Sequence, residues 1–280
     1  MIFYENSNGE KISLDEWPVV IEDIEDLFGS EWKYEATENK NRNSSKVNRF
    51  YRTNVTKKIN LQVFADSEEE FYETMDRLND ITDVDILSGS PGKLWYGEYY
   101  LLCYMTESQP KDYEDIFYAI DVERTITSFY PFWISKHTYD FHSYGTTSSN
   151  NKRYPGKYPY RYANGLNSNY IINTHFTDAN FQLIIYGPVV NPQVIVGGTS
   201  YLTNIVLEEG EYLVIDSRDE TVTKVMNNGQ RVNAYHNRQK GRNFFKKIPP
   251  GRQMASWTGK FDFDLIIYEE RGEPRWRTLR

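Results

Sequence analysis

Three acidic residues lie close together in the segment EYLVIDSRDETVTKV, at Asp216, Asp219 and Glu220. Carboxylates at this spacing could share a proton in catalysis or bind calcium. A calcium loop alternates its ligands and needs a glycine at its sharp turn, and D-S-R-D-E has neither feature. Apolar residues alternate on both sides of the cluster, which predicts two strands with the acids at the connecting tip. We therefore interpret the cluster as a polar hairpin tip.

A second acidic pair, Asp262 and Asp264, occurs in FDFDLII. A glycoside hydrolase needs two carboxylates on either side of a cleft. Residues two apart in a strand point to the same face, so this pair is typical of the solvent face opposite Phe261, Phe263 and Leu265. Hydrolysis by either acidic set is kept as an alternative that substitution of the carboxylates would test.

The histidines of HTYDFH, His137 and His142, could bind a metal together with an aspartate. Their odd separation sends the two rings to opposite faces of a strand. The sequence also has no G-x-S-x-G elbow and no glycine-rich phosphate loop. We therefore predict no catalytic residue, no cofactor and no metal site.

The best candidates for binding are aromatic. Tyr158, Tyr160 and Tyr162 alternate with basic residues in KYPYRY, and Trp257 is a further stacking candidate. Exposed rings beside arginine can stack on sugars or anchor a protein partner. The alternative is that the tyrosines cover the edge of a β-sandwich and connect two domains.

Composition narrows the class of protein. The net charge of −8 argues against wrapping nucleic acid, because phosphate neutralisation needs a concentrated basic face. The single cysteine excludes an intramolecular disulfide. The N-terminal residues lack the pattern of a secretory signal, and the apolar runs are too short to cross a membrane. We expect a soluble protein made in a reducing cytoplasm.

The N-terminal half is predicted to be mostly β with one helix. Ser67 and Glu70 form a capping box, and an apolar face follows at helical spacing. That face consists of Phe71, Met75, Leu78 and Ile81. Polar loops are expected at residues 38–46 and around Gln109 and Pro110.

Residues 139–169 are rich in Ser, Asn, Gly, Pro and Tyr, which is typical of a long connection. Beyond it, short strands recur with turn signals between them and no helix, which favours an antiparallel sandwich. Asn228-Gly229 is expected to supply two positive φ angles in a tight turn. We predict a mixed domain over residues 1–138 and a β-sandwich over residues 139–280.

The order of these segments resembles the distal tail proteins (Dit) of long-tailed phages that infect Gram-positive bacteria. In the N-terminal half the resemblance rests on QVFADSEEEFYETMDRL, KLWYGEYYLLCYMTES and ITSFYPFWIS. In the C-terminal half it rests on IIYGPVVNPQVIVGGTSYLTNIVLEEGEYLVIDS, NNGQRVNAY and FFKKIPPGRQ. It covers nearly the whole chain as an overall pattern.

The resemblance implies a split-barrel or β-sandwich N-terminal domain with one packed helix and a galectin-like C-terminal domain. It also implies a non-enzymatic virion component, a homohexameric ring at the tail tip. The implied neighbours are the tail tube protein, the hub or tail-associated lysin, and in some phages a receptor-binding protein. His236, Asn237 and Arg238 are consecutive, whereas galectins alternate their sugar ligands along a strand. A carbohydrate-binding module for host-wall polysaccharide is the alternative function.

Overall fold

The structure is a computed structural model that describes residues 1–38, 43–114, 118–143, 167–241 and 243–275. Contacts divide the chain into two units. Unit 1 comprises Met1–Ser135 and the C-terminal segment from Glu270, and unit 2 comprises Lys136–Glu269. The chain therefore leaves unit 1 once and returns to it. The expected domain boundary between residues 138 and 139 stays a prediction.

Unit 1 combines antiparallel strands with one α-helix. In chain order its elements are β1 (Ile2–Glu5), β2 (Lys11–Ser13), β3 (Asp15–Glu16), β4 (Val19–Ile21), β5 (Lys33–Glu38), β6 (Ser45–Tyr51), β7 (Val55–Phe64), α1 (Glu68–Ser88), β8 (Gly92–Tyr96), β9 (Tyr99–Glu114), β10 (Ala119–Ser128) and β11 (Trp133–Phe141), whose first residues belong to unit 1.

Capping residues explain where helix α1 begins and ends. The Ser67 hydroxyl accepts a hydrogen bond from the Glu70 N–H, and the Glu70 carboxylate accepts one from the Asp66 N–H, which confirms the predicted start. Gly89 adopts the left-handed conformation at the other end, with φ of 66°. Its N–H and that of Ser90 bond to carbonyls of the last turn, a Schellman motif.

The buried face of α1 is the predicted one, and it packs against the strands of unit 1. Phe71, Leu78 and Ile81 are buried, and Met75 is partly buried against the same cluster. A buried carboxylate adds a polar anchor near the helix end. Asp85 accepts hydrogen bonds from the Tyr4 hydroxyl at 2.5 Å and the Ser7 N–H at 2.6 Å. These bonds tie α1 to β1.

The main sheet of unit 1 is formed by β9, β10, β7, β4 and β3 in that order. β10 pairs antiparallel with β7 over its whole length and with β9 on its other side. Beneath this sheet, Leu61, Val63 and Val122 are fully buried in the cluster that receives α1. Strand β9 also pairs with β8 at residues 99–103.

Unit 2 contains β-strands and no α-helix among its described residues. Its elements are β12 (Asn167–Asn173), β13 (Asn180–Tyr186), β14 (Val189–Val190), β15 (Gln193–Val196), β16 (Thr199–Leu202), β17 (Val206–Leu207), β18 (Tyr212–Asp216), β19 (Thr221–Val225), β20 (Arg231–Asn233), β21 (Gly251–Trp257) and β22 (Phe263–Arg271), whose last residues belong to unit 1.

Two antiparallel sheets of unit 2 share one apolar core. One sheet has the order β20-β19-β18-β13-β22, and the other has the order β12-β21-β15-β16. Alternate residues of both sheets are buried in a single cluster that includes Leu183, Leu213, Val194 and Trp257. The arrangement is a β-sandwich, so the prediction of a mainly β fold with one helix is confirmed.

Several local predictions were wrong. Strand β9 continues through Pro110, which lies on an outer strand with β10 as its one strand partner in the described ranges, a position where proline is tolerated. Part of the expected loop at residues 38–46 belongs to β5 and β6. In the turn after β19 only Gly229 has a positive φ, 80°, so the turn is longer than the expected two-residue type.

Candidate assembly surfaces

The predicted acidic tip lies between β18 and β19, and its three members have different surroundings. Asp216 is 5% exposed and accepts hydrogen bonds from the Gln182 side chain at 3.1 Å and the Arg218 N–H at 2.9 Å. Asp219 and Glu220 are exposed at the hairpin tip. The hydrogen bonds of Asp216 therefore stabilise the backbone of the polar hairpin that the sequence predicts.

The second acidic pair also makes structural contacts. Asp262 accepts a hydrogen bond from the Ser143 N–H at 2.6 Å. Hydrogen bonds from the Ser143 side chain and then from this N–H lower the pKa of the Asp262 carboxyl. Asp264 accepts one from the Tyr186 hydroxyl at 2.7 Å. Burial and this bond raise the pKa of Tyr186 to about 12. Both carboxylates thus form hydrogen bonds within unit 2.

The two histidines contact different carboxylates. His137 Nε2 lies 3.5 Å from Glu269, and His142 Nδ1 lies 3.6 Å from Asp262. Across the described ranges, no group of three or more His, Cys, Asp or Glu side chains could hold a metal ion. None of the helices in the same ranges is long and apolar enough to cross a membrane.

Of the aromatic binding candidates, the structure describes Trp257. Trp257 is 1% exposed, and its indole N–H donates to the Phe261 carbonyl at 3.1 Å. Its ring packs edge to face with Phe141 and Phe263, so it presents no face to a ligand in this conformation. Tyr158, Tyr160 and Tyr162 lie outside the described residues.

Two edges of the main sheet of unit 1 lack a strand partner among the described residues. In that part of the chain, residues 107–111 of β9 pair with β10 alone, and the side chains from Thr106 to Lys111 are exposed. On the opposite side, β4 pairs with β7 only at residues 61–63. Within the described chain, residues 55–59 of β7 therefore pair with β10 alone. Unpaired N–H and C=O groups at such edges can accept another strand.

The solvent face of this sheet carries a charged ladder. Glu123, on β10, receives Lys58 of β7 at 2.6 Å and Lys111 of β9 at 2.7 Å. Hydrogen bonds from the two lysines lower the pKa of Glu123 to about 2. The three charges thus join the three strands on one face.

A two-stranded ribbon formed by β5 and β6 projects its side chains to solvent on both faces. One face pairs Tyr34 with Phe50 and Ala36 with Val47, and these two pairs make its part nearest the base of the ribbon apolar. Tyr34 and Phe50 are 65% and 63% exposed, and their rings lie 6.3 Å apart. The opposite face carries polar residues, including the Glu35–Arg49 ion pair at 2.6 Å.

The amphipathic pattern of this ribbon is hidden in the sequence for a local reason. Val47 and Phe50 are three apart, which would place them on opposite faces of a regular strand. A bulge at Asn48 shifts the register, since Glu35 pairs with Arg49 but Ala36 pairs with Val47. The extra residue brings both apolar side chains to one face. The aromatic content of KYEATE and SKVNRFY is the signal that could have indicated a ribbon.

The base of the ribbon is fixed to the rest of unit 1. The Arg52 guanidinium donates to the Pro131 carbonyl and lies over the rings of Trp32 and Phe132, at 5.7 and 5.2 Å from their centroids. Trp32 and Phe132 also meet edge to face at 6.1 Å. The ribbon therefore starts from a packed base.

The mainly β architecture, with one helix packed in the first unit and a sandwich in the second, defines a Dit-like fold. The Dit (gp 19.1) protein of phage SPP1 matches 96% of this chain and 99% of its own length, with a TM-score of 0.58 and 9% identity. It is described as a paradigm of the hub adsorption apparatus in phages that infect Gram-positive bacteria. The resemblance stated from the sequence is thus confirmed for the fold.

Chains of a second phage match in the same way. A chain of the phage P2 baseplate, in its activated conformation with calcium, covers 98% of this chain at a TM-score of 0.61 and 14% identity. All of that chain is covered as well. No family model and no curated protein matches the sequence.

Proposed function

We propose that the protein is a structural component of a phage tail tip, made in the host cytoplasm and carried in the virion. The observation that carries this proposal is the match in fold over nearly the full length of both chains. The phage proteins it resembles belong to a hub adsorption apparatus and a baseplate. The structural contacts of the predicted acidic sets support a role without catalysis.

We further propose that six copies form a ring that joins the tail tube to the hub and the host-recognition apparatus. A closed ring requires a head-to-tail contact in which two different surfaces of each copy meet. The two open edges of the main sheet of unit 1, at residues 107–111 and 55–59, are one such pair. Tail tube protein, hub or tail-associated lysin, and a receptor-binding protein are the proposed neighbours.

Negative-stain imaging of the purified full chain tests this proposal. We expect ring particles with six-fold symmetry and a central channel. A protein that stays monomeric at every concentration, both alone and mixed with the tail tube and hub proteins of its own phage, would exclude the ring. Enzymatic turnover of wall polysaccharide would exclude the purely structural role.

A further inference from the structure

The apolar face of the β5–β6 ribbon has no cover within the described chain. Tyr34, Val47 and Phe50 are all exposed on that face. Isolated two-stranded ribbons are marginally stable in water, and exposed apolar side chains that share a face mark a contact surface. The opposite, charged face of the same ribbon is suited to water.

A second group of apolar residues lies near one end of β9 and β10 in the same sheet. Phe129 is 69% exposed, and its ring meets that of Tyr104 at 6.1 Å. The Tyr104 hydroxyl donates to the Gly89 carbonyl at 3.0 Å, next to the helix end that carries Leu87, which is 86% exposed. We call Leu87, Tyr104 and Phe129 the edge patch.

The ribbon and the edge patch lie at the same end of the main sheet. The ribbon leads into β7, whose first residue, Val55, pairs with Ser128 of β10. Tyr104 of β9 pairs with the neighbouring residue, Thr127. The base of the ribbon and Tyr104 are therefore level along the strands, on either side of β10. Rotation about an axis that follows the strands keeps that level, so it can bring one surface to the other.

Edge pairing by itself would make a limited contact. The outer strands β7 and β9 both run antiparallel to β10, so they share a direction. Copies related by such a rotation would pair these edges in parallel, which is slightly less stable per residue than antiparallel pairing. An apolar contact beside the paired edges would bury additional apolar area. Each copy would contribute two different surfaces, one to each of its neighbours.

We infer that the apolar face of the ribbon of one copy packs on the edge patch of the next copy of this chain. The occupant of the ribbon face is thus a second copy, bound head to tail. This inference rests on the proposed ring, because it assigns the residues that form the contact between its subunits. It predicts that the two surfaces act as a pair.

Disulfide trapping tests the contact directly. We expect the double variant Val47→Cys with Phe129→Cys, once oxidised, to give a ladder of covalent multimers on a denaturing gel, and each single variant to give none. The native thiol of Cys103 is fully buried and its pKa is raised to about 12, so it stays silent. Dimers from either single variant would indicate a symmetric contact and overturn the inference.

A substitution in the ribbon gives an independent readout. Phe50→Ser should remove the ring particles at a concentration where the wild-type chain is assembled, with an unchanged melting temperature of the monomer. Lys33→Ser, on the opposite face of the same ribbon, should leave the rings intact. Rings that persist in Phe50→Ser, together with no ladder, would overturn this contact but leave the ring standing. Absence of rings and ladder in all samples would overturn both.

Discussion

Strand β12 of unit 2 and strand β9 of unit 1 are both outer strands, but their free sides differ. The Tyr139 hydroxyl accepts a hydrogen bond from the Ile172 N–H at 3.2 Å and donates one to its carbonyl at 2.7 Å, which occupies the free side of β12. Residues 107–111 of β9 have β10 as their one strand partner in the described chain.

The difference indicates how each unit relates to other molecules. A side chain that satisfies an edge removes the groups another strand would bind, whereas an uncovered edge keeps them available. Unit 2 encloses its core between two sheets, whereas unit 1 keeps residues 106–111 of an outer strand and an apolar ribbon face exposed. Unit 1 is therefore the part suited to pairing with further copies.

The largest expected effect is that of a substitution in the core of unit 2, which should destabilise this unit and leave the assembly of unit 1 intact. Trp257→Ala should destabilise it by about 3–5 kcal/mol, because the substitution leaves a cavity among packed aromatic rings. Denaturant unfolding should show this loss, and imaging should show rings still formed by unit 1. Met254→Ala, on the same strand but 47% exposed, should stay within about 0.5 kcal/mol of wild type. Loss of rings in Trp257→Ala would contradict the division.

A charge placed on the outer strand β9 should prevent a further strand from pairing with this edge of unit 1. Ser108 pairs with the buried Arg124 on β10, so Ser108→Lys places a charge on the inward side of the edge. A neighbouring strand would have to bury that charge. We expect association to weaken at least tenfold, roughly 1.4 kcal/mol, by sedimentation.

The neighbouring position supplies the matched control for the edge. Gln109 lies beside Glu107 on the solvent face, and its side chain donates to that carboxylate at 2.6 Å. Gln109→Lys adds the same charge there and should leave association unchanged. Equal effects of the two lysines would mean that net charge, and not edge pairing, governs assembly.

Opening the edge of unit 2 is the converse experiment. Tyr139→Phe removes both bonds to Ile172 and should cost about 0.5–1.5 kcal/mol, since water can reach this exposed position. Hydrogen exchange should show faster exchange of the Ile172 amide than in wild type. An unchanged exchange rate would mean that the hydroxyl does not protect this edge.

The smallest expected effect concerns the charged ladder of unit 1. The pKa of Glu123 is lowered from 4.5 to about 2 in the folded chain, so its contribution to stability is present above pH 4.5. It is lost as the pH falls from 4.5 towards 2. Glu123→Gln should thus be less stable than wild type at pH 7, and the difference should shrink by pH 2.5. A difference that is constant with pH would exclude the ion pairs as its source.

The sequence was most informative where local chemistry and burial agree. The capping box at Ser67 and the apolar spacing of α1 predicted the helix, since both signals act within a few residues. In unit 2, turn residues between alternating strands predicted a sandwich. The segment at Gly251–Trp257 was not predicted as a strand, because polar Gln253 on its inner face and apolar Met254 on its outer face hide the alternation.

The candidate surfaces were harder to predict because they depend on pairing between distant residues. Nothing local distinguishes residues 107–111 from a loop, and only their register with β10 makes them an outer strand. Trp257 illustrates the opposite error, since its type favours a binding ring while its neighbours bury it. Edge status and burial are both properties of the assembled sheets.

The bulge at Asn48 makes the two strands of the ribbon respond differently to a change in length. Deletion of Asn48 would leave Val47 and Phe50 two apart in a regular strand, so both side chains would still share one face. Deletion of Glu35 from the partner strand, which carries no extra residue, would instead make Tyr34 and Ala36 neighbours and send them to opposite faces. A deletion of one codon would thus preserve the apolar face in β6 and divide it in β5.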